Sequence, residues 1–277
     1  MTRLMGIVNA TPDSFSDRQG AKSTLSLVAR AHELVDAGAS IVDVGGESGR
    51  TDRDIVPVEE EIARVVPVVE RLAADGLTVS VDTWRAPVAR AALTAGATMI
   101  NDVSALSDLG VADACAEAGA SLVITHTRVP PKVKGFPEYA DVVADVIALL
   151  EDRAAAAEAR GVERDRLVFD PGIDLGKTPA ESIEVLRRLP ELAVLGGPLL
   201  VAVSRKDFVG ALTGRAPAAR DSGTLAAIDR AVAGGADILR VHDVAGVRDY
   251  LAVRAALDGA GPHAALALAE HLRREAV

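Results

Sequence analysis

Short apolar runs rich in β-branched residues alternate along this chain with longer amphipathic segments. Each run ends abruptly in polar residues, as a strand does where it leaves a buried sheet. The runs are Leu4–Val8, Ile41–Val44, Thr78–Val81, Met99–Ile100, Ser121–Thr125, Leu167–Phe169, Leu199–Val203 and Ile238–Val241. The pattern predicts eight strands.

The segments between the runs have the spacing of apolar residues that is typical of helices. The predicted helices are Leu25–Ala37, Glu59–Ala74, Pro87–Ala95, Val111–Ala118, Val142–Arg160, Ala180–Leu189, Gly223–Ala233 and Val247–Leu257. Four of them run into a glycine just before the next strand, at Gly38, Gly96, Gly119 and Gly235. A left-handed glycine there ends the helix and turns the chain back toward the sheet.

Eight β/α units with right-handed crossovers predict an α/β protein with a single (β/α)₈ barrel, or TIM barrel, over residues 1–277. An extra C-terminal helix is expected at Ala264–Arg274. An open, doubly wound sheet is the alternative fold. The first strand is not followed by Gly-x-Gly-x-x-Gly, which counts against a dinucleotide-binding sheet.

Composition narrows the class of protein. Aromatic residues make up only 3% of the 277 residues, so Val, Leu, Ile and Ala must form the core. The formal charge of −10 argues against nucleic-acid or membrane partners, although a local Arg/Lys cluster can still bind phosphate. The N-terminal residues have no signal-peptide pattern, so a cytoplasmic location is expected. The single cysteine, Cys115, excludes an intramolecular disulfide and is expected to be buried in a helix.

Every predicted strand is followed by hydrogen-bonding or ionisable residues. These are Asn9, Glu47, Asp82, Asn101 and Asp102, His126, Asp170, Ser204 to Lys206, and His242 and Asp243, with Arg240 inside the last run. The carboxyl ends of barrel strands meet at one rim, so these residues predict a binding site there. For the aspartates alone, an N-cap on the following helix is the alternative.

The rim residues fall into two chemical groups. Asp82, Asn101 and Asp170 suit a heterocycle that presents several N–H donors, such as an amino-pyrimidinone. Lys206, Arg240 and His242 suit phosphate oxygens or a ring carbonyl. Asn9 is a candidate ligand of Mg²⁺ on a diphosphate, because Mg²⁺ usually borrows substrate oxygens. No metal-ligand spacing among the five histidines suggests zinc.

The rim residues lie within motifs that resemble those of the dihydropteroate synthase family. They are MGIVNATPDSFSD (5–17), IVDVGGES (41–48), VDTWRAPVARAAL (81–93), INDVS (100–104), DPGIDLGKT (170–178), SRKDFVGALTG (204–214) and RVHDV (240–244). They occur in the family's order and span most of the chain. The resemblance implies a transferase of folate synthesis that joins 6-hydroxymethyl-7,8-dihydropterin diphosphate to 4-aminobenzoate and releases diphosphate.

The same resemblance assigns roles to residues of this sequence. Asp82, Asn101, Asp170 and Lys206 are expected to hold the pterin, with Asp82, Asp170 and Lys206 nearest the chemistry. Arg240 is expected to stack on the ring and, with His242 and Asn9, to bind the diphosphate and Mg²⁺. A first loop, Thr11–Gly20, with Phe15, Asp13 and Asp17, closes over the site. Ser48, Arg50, Ser204 and Leu175 are expected around the substrates. Family members imply a homodimer, with the helices at Val142–Arg160 and Gly223–Ala233 as candidate contact faces.

Four positions depart from the family pattern. Gly49-Arg50-Thr51-Asp52 replaces Ser/Thr-Arg-Pro-Gly, and Asp174-Leu175 replaces Gly-Phe before Gly-Lys. Arg18-Gln19-Gly20 and the stretch 125–131 also differ from the usual residues. Asp-Thr-Trp-Arg and Ser-Arg-Lys-Asp resemble a divergent actinobacterial type. Four hypotheses follow: a synthase, an enzyme with another acceptor, a non-catalytic pterin-binding paralogue, and a pterin-binding methyltransferase, which needs a corrinoid partner.

Overall fold

The computed structural model describes residues 2–10, 24–49, 51, 53–260 and 267–273. Eight parallel strands form one sheet in the order β6-β5-β4-β3-β2-β1-β8-β7. A bridge between Phe169 and Leu199 joins β6 to β7 and closes the sheet into a barrel. The strands are β1 Arg3–Asn9, β2 Ile41–Gly45, β3 Val79–Asp82, β4 Met99–Asp102, β5 Ser121–Thr125, β6 Leu167–Asp170, β7 Leu200–Val201 and β8 Ile238–Val241. The predicted barrel is confirmed, and the open sheet is wrong.

Helices surround the barrel at the predicted places. They are α1 Thr24–Asp36, α2 Val58–Ala74, α3 Ala86–Thr94, α4 Gly110–Ala118, α5 Val142–Glu158, α6 Pro179–Arg187, α7 Asp207–Thr213, α8 Asp221–Ala233 and α9 Val244–Leu257. The sequence analysis missed α7 because its seven residues are too few to show a clear period. It matters for the site, since it starts directly after Lys206. None of the helices in the described ranges is long and apolar enough to cross a membrane.

The predicted glycine joints are present in the backbone. Gly38, Gly96, Gly119 and Gly235 have φ values of 116°, 105°, 62° and 96°, which L side chains rarely adopt. After the last strand, α9 is the C-terminal helix. The further helix expected at Ala264–Arg274 falls partly outside the described residues, and Glu270–Leu272 forms a short 3₁₀ turn.

One apolar layer inside the barrel determines where the site lies. It consists of Met5, Ile41, Met99, Val123, Val168, Leu200 and Ile238, which are at most 5% exposed. Strand side chains alternate between the two faces of the sheet, so the residue two positions further along also points inward. The residues two positions beyond the members of the apolar layer are Ile7, Asp43, Asn101, Thr125, Asp170, Ala202 and Arg240. The interior therefore changes from apolar to polar toward the carboxyl ends of the strands.

The outer core lies between the strands and the helices and includes Cys115, which is fully buried. Burial, with a smaller contribution from Asp102, raises the pKa of this thiol to about 12. The thiol is thus protonated and packs as a small apolar side chain, as the sequence predicts.

Candidate active site at the carboxyl ends of the strands

A cleft of about 950 Å³ opens at the carboxyl ends of the strands. Most of the predicted site residues line it: Asn9, Ser48, Asp82, Asn101, Asp170, Leu175, Lys206, Arg240 and His242. Residues from strands 1, 2, 3, 4, 6, 7 and 8 or the loops after them thus converge in one place. Phe15 and Arg50 lie outside the described residues, as do the predicted first loop and Asp52.

An ion-paired cluster forms the floor of this cleft. Arg240 donates from Nε to Asp43 Oδ2 at 2.7 Å and from Nη2 to Asp82 Oδ2 at 2.8 Å. Asn101 Nδ2 donates to the same oxygen of Asp43 at 3.1 Å. Asp43 was missed from the sequence because it lies inside an apolar run. The alternation of strand side chains between the two faces of the sheet could have identified it, because Asp43 is two residues beyond the inward-facing Ile41.

Burial makes this cluster electrostatically unusual. The pKa of Asp82 is raised to about 7, mainly by desolvation, which outweighs the attraction of Arg240 and is reinforced by the nearby Asp43. The N-cap alternative for Asp82 is wrong, because Arg85 holds that position on α3. The carboxylate instead faces the cleft, where side-chain atoms of Asp82 are 18% exposed.

Asn101 offers an unused acceptor. Its side chain is almost fully buried, and its Oδ1 has no hydrogen-bond partner among the described residues. The bond from Nδ2 to Asp43 fixes the orientation of the amide. A buried acceptor without a partner costs free energy, so a ligand N–H at this point would be stabilising.

Asp170 and Lys206 complete the floor on the side of β6 and β7. Asp170 is 4% exposed and accepts from the backbone N–H of Gly172 at 2.7 Å. It does not cap α6, whose N-cap is Thr178. Burial raises the pKa of Asp170 and lowers that of Lys206. The Lys206 ammonium has no ion pair within 4 Å in the described ranges, so it is available to a ligand.

His242 and Ser204 act as a pair. Ser204 Oγ lies 2.9 Å from His242 Nδ1 and accepts from the backbone N–H of His242 at 3.3 Å. Burial and the neighbouring Arg205 lower the pKa of His242 to about 4, so the ring is neutral near pH 7. Ser204 is not among the residues that line the cleft, and its expected place beside a substrate stays a prediction. It contacts His242 instead and orients the ring.

A family model described as "Pterin binding enzyme" matches residues 5–242. The chain is 45% identical to the dihydropteroate synthase of Neisseria meningitidis serogroup C, over 90% of both proteins. A solved dihydropteroate synthase of Xanthomonas albilineans with 4-aminobenzoic acid has a TM-score of 0.88, at 45% identity over 94% of both chains. The chain belongs to the pterin-binding enzyme family.

Two further relatives define how far this similarity extends. A Mycobacterium leprae protein named inactive dihydropteroate synthase 2 is 42% identical over 94% of this chain and 91% of its own length. The chain spans 31% of a probable bifunctional folylpolyglutamate synthase/dihydropteroate synthase of Haloferax volcanii. The predicted family, fold and transferase class are confirmed by these comparisons, while the roles of single residues remain predictions.

His126 and Glu47, both predicted at the rim, make structural contacts, and of the two only Glu47 lines the cleft. His126 is fully buried and lies 2.8 Å from Asp145 Oδ2, on the side of the sheet that faces the helices. Its position directly after the inward-facing Thr125 explains why it points outward. Glu47 is 5% exposed and pairs with Arg85 at 2.6 Å and Lys132 at 3.3 Å.

Lys177, which the sequence analysis did not single out, organises the loop after β6. It is 1% exposed, and its ammonium donates to the carbonyl oxygens of Gly172 at 3.0 Å and Leu175 at 3.2 Å. It also lies 2.7 Å from His126 Nδ1. Burial lowers the pKa of Lys177 to about 7 and that of His126 to about 4. Lys177 therefore ties the loop that carries Leu175 to the end of β5.

The structure offers few protein ligands for a metal. The described residues contain no group of three His, Cys, Asp or Glu side chains that could hold one. Asn9, at the end of β1, supplies a single amide oxygen at the cleft. This donor set fits only a cation that brings most of its ligands as substrate oxygens and water, as Mg²⁺ does.

Proposed function

We propose that this protein is a dihydropteroate synthase, which joins 6-hydroxymethyl-7,8-dihydropterin diphosphate to 4-aminobenzoate. The main support for this proposal is a buried cluster under one cleft in a chain of the pterin-binding family. The cluster consists of Asp43, Asp82, Asn101 and Arg240. The 4-aminobenzoic acid in the solved Xanthomonas relative supports the acceptor.

The pterin would lie on the floor of the cleft. Its amino group and ring N–H groups need acceptors, which Asp82, Asp170 and the unused Oδ1 of Asn101 supply. Its ring carbonyl needs a donor, which Lys206 supplies. Arg240 uses Nε and Nη2 on the two carboxylates, but the faces of its guanidinium remain free to stack on the ring.

The diphosphate would lie toward β1 and β8. A hydrogen bond donated by Ser204 Oγ to Nδ1 of the neutral His242 would leave the ring proton on Nε2, and that Nε2–H would donate to a phosphate oxygen. Asn9 would hold Mg²⁺ together with diphosphate oxygens, and that cation would neutralise the leaving group. Among the described residues Arg240 donates only from Nε and Nη2, so the N–H groups of Nη1 would donate to a diphosphate oxygen.

The reaction then needs no covalent enzyme nucleophile. The bond between the pterin methylene carbon and the diphosphate oxygen breaks, and positive charge spreads over the pterin. Fixed carboxylates at Asp82 and Asp170 stabilise that charge in a site with little water. The arylamine nitrogen forms the new bond to the methylene carbon and loses a proton to solvent. Ser48 and Leu175, from opposite walls of the cleft, would enclose the arylamine.

A second candidate is a paralogue that binds the pterin diphosphate but uses another acceptor or none. The favouring observation is Asp174, a carboxylate on the acceptor side of the cleft where the family pattern has glycine. The relative named inactive in Mycobacterium leprae shows that such similarity occurs among proteins without this activity.

One assay separates these functions. The protein is mixed with the pterin diphosphate, Mg²⁺ and 4-aminobenzoate, and diphosphate and dihydropteroate are measured together. The synthase releases both in equal amounts. Diphosphate without the conjugate indicates another acceptor, and binding of the pterin diphosphate without turnover indicates a non-catalytic paralogue. Omission of Mg²⁺ and an Asn9→Ala variant test the proposed cation.

Assembly and location form part of the same proposal. We infer a homodimer that packs through outer helices, among which α5 and α8 are candidates, and light scattering after size exclusion tests it. A cytoplasmic location suits the single buried thiol of Cys115, since free cysteines persist in a reducing compartment.

A further inference from the structure

Asp174 occupies an unusual place in the loop after β6. Its φ of 64° lies in the left-handed region, where glycine is favoured and aspartate is tolerated. Its Oδ1 accepts from Ser182 Oγ at 3.1 Å, and its Oδ2 accepts from the backbone N–H of Asp207, the first residue of α7. The side chain therefore joins the loop after β6 to the start of α7, and it lines the cleft.

The charge of Asp174 acts mainly on Lys206. Burial lowers the pKa of Lys206, and the carboxylate of Asp174 is the largest influence that opposes this shift, ahead of Asp170. Lys206 thus lies between a carboxylate of the floor and a carboxylate of the wall. The negative charge of Asp174 therefore offsets part of the positive charge of Lys206.

The arginines of this wall are already paired, and the buried ammonium of Lys177 donates to backbone carbonyl oxygens. Arg205 makes a bidentate pair with Asp221 at 2.8 and 3.0 Å. Arg220 donates to Asp207 at 2.9 Å, and the Asp207 carboxylate is 84% exposed beside the cleft. The wall formed by the loop after β6 and the start of α7 therefore offers an anionic ligand no exposed, unpaired cation among its described residues, and Asp174 offsets the charge of Lys206 on the adjoining floor.

The acceptor must lie against this wall if the proposed function is correct. Its amine nitrogen has to reach the methylene carbon next to the pterin ring, so its own ring lies above the floor and beside Leu175. A substituent opposite the amine then points away from the floor toward the outer edge of the wall, where Asp174 and Asp207 lie. A carboxylate in that position meets like charge, and an uncharged substituent does not.

We propose that Asp174 determines acceptor specificity: it weakens binding of arylamines with a carboxylate opposite the amine and leaves uncharged arylamines unaffected. This inference rests on the proposed function for the place of the acceptor. It concerns selection between acceptors, and so it can fail while the condensation itself is confirmed.

The test compares 4-aminobenzoate with its uncharged amide, 4-aminobenzamide. Both kcat/KM and, with an unphosphorylated pterin bound so that no condensation occurs, the dissociation constant are measured for the wild-type protein, Asp174→Asn and Asp174→Gly. We expect both variants to gain about tenfold for 4-aminobenzoate and to stay within twofold for the amide. Asp174→Asn keeps an oxygen that can accept from Asp207, so it separates charge from loop structure, and thermal melting checks folding.

Glu184→Gln is the matched control, because it removes one negative charge from the outer surface of α6, where Glu184 pairs with Arg187 and Arg188. It should change neither acceptor. An equal gain for both arylamines, no gain in either variant, or no binding of either arylamine overturns the inference. Selective binding in the absence of any conjugate supports it while rejecting the proposed synthase activity.

Discussion

The floor of the cleft and its acceptor wall are built in different ways. On the floor, Asp82, Asn101 and Arg240 extend from strands and are held by bonds of 2.7 to 3.1 Å to each other or to Asp43. On the wall, Asp174 and Leu175 belong to a loop that is fixed by Lys177 and by contacts with α6 and α7. Strands of a closed barrel cannot shift singly, whereas a loop can change its residues at little cost to the fold.

This contrast separates two aspects of function. Residues with the chemistry for pterin recognition lie where the barrel fixes them, and the departures from the family pattern at Asp174 and Leu175 lie on the loop. The chain therefore keeps the means to hold a pterin while its choice of acceptor is open to change.

Asp82→Asn should weaken pterin binding by about a hundredfold, or about 3 kcal/mol, because a charged acceptor is lost from a buried site. At pH 8 the free energy of unfolding of this variant should not be lower than that of the wild-type protein. The raised pKa of Asp82 means that its ionised form costs stability above about pH 7, and asparagine removes that cost. Calorimetry with an unphosphorylated pterin and thermal melting measure the two effects.

A variant that binds the pterin normally would show that Asp82 is not part of the ring site. A variant that loses both binding and stability would show that the floor is a structural ion cluster and not a recognition surface. The contrast between floor and wall would then have no functional meaning.

The affinity for an unphosphorylated pterin should fall by about tenfold between pH 8 and pH 6. Asp82 has a pKa of about 7, so its carboxylate is mostly ionised at pH 8 and mostly protonated at pH 6. The pKa of Lys177 is also about 7, but this side chain becomes positively charged as the pH falls, whereas Asp82 loses its negative charge. Lys177→Arg stays charged and should keep the slope. An affinity independent of pH in both proteins would contradict the assignment to Asp82.

Much of this arrangement can be predicted from the sequence, and the exceptions have a physical reason. Asp82, Asn101 and Asp170 were found because they end apolar runs, and a barrel brings strand ends together. Asp43 and Arg240 both lie inside such runs: Arg240 was identified through the family motif around it, whereas Asp43 was missed and is placed only by the two-residue alternation. The inward or outward direction of His126 depends on that register. The role of Lys177 in holding the loop after β6 was not predicted, because its partners are mainly backbone carbonyls, which no side-chain pattern reveals.

Lys177→Met tests how far the wall depends on this one buried ammonium. Several carbonyl oxygens lose their donor, so we expect a loss of about 1–3 kcal/mol in the free energy of unfolding. Pterin affinity should fall only about fivefold, through the link from Gly172 to Asp170. Urea denaturation and calorimetry measure these effects, and Lys134→Met, at an exposed lysine in the segment after β5, is the control.

The pH dependence of stability gives an independent check on Lys177. Its pKa falls from 10.5 to about 7 on folding, so the folded state binds fewer protons between these values. This group therefore makes the free energy of unfolding rise with pH from about 7 to about 10.5. The rise should be smaller in Lys177→Met than in the wild-type protein. Parallel curves for the two proteins would mean that Lys177 titrates normally and that the loop is held by other contacts.

Leu175→Phe should have the smallest effect, a two- to threefold gain in affinity for 4-aminobenzoate. The half-buried Leu175 lines the cleft beside Gly176, and phenylalanine adds an aromatic face against the arylamine ring, worth about 0.5 kcal/mol. Pterin affinity should not change, because the floor is built from other elements. Leu212→Phe, on an exposed part of α7, is the matched control. Because the ring stacks regardless of charge, the gain should be equal for 4-aminobenzamide, unlike the selective gain expected from Asp174→Asn. An unchanged or weaker affinity for both arylamines would place the acceptor away from this loop, and the wall would have to be sought among the residues after β5.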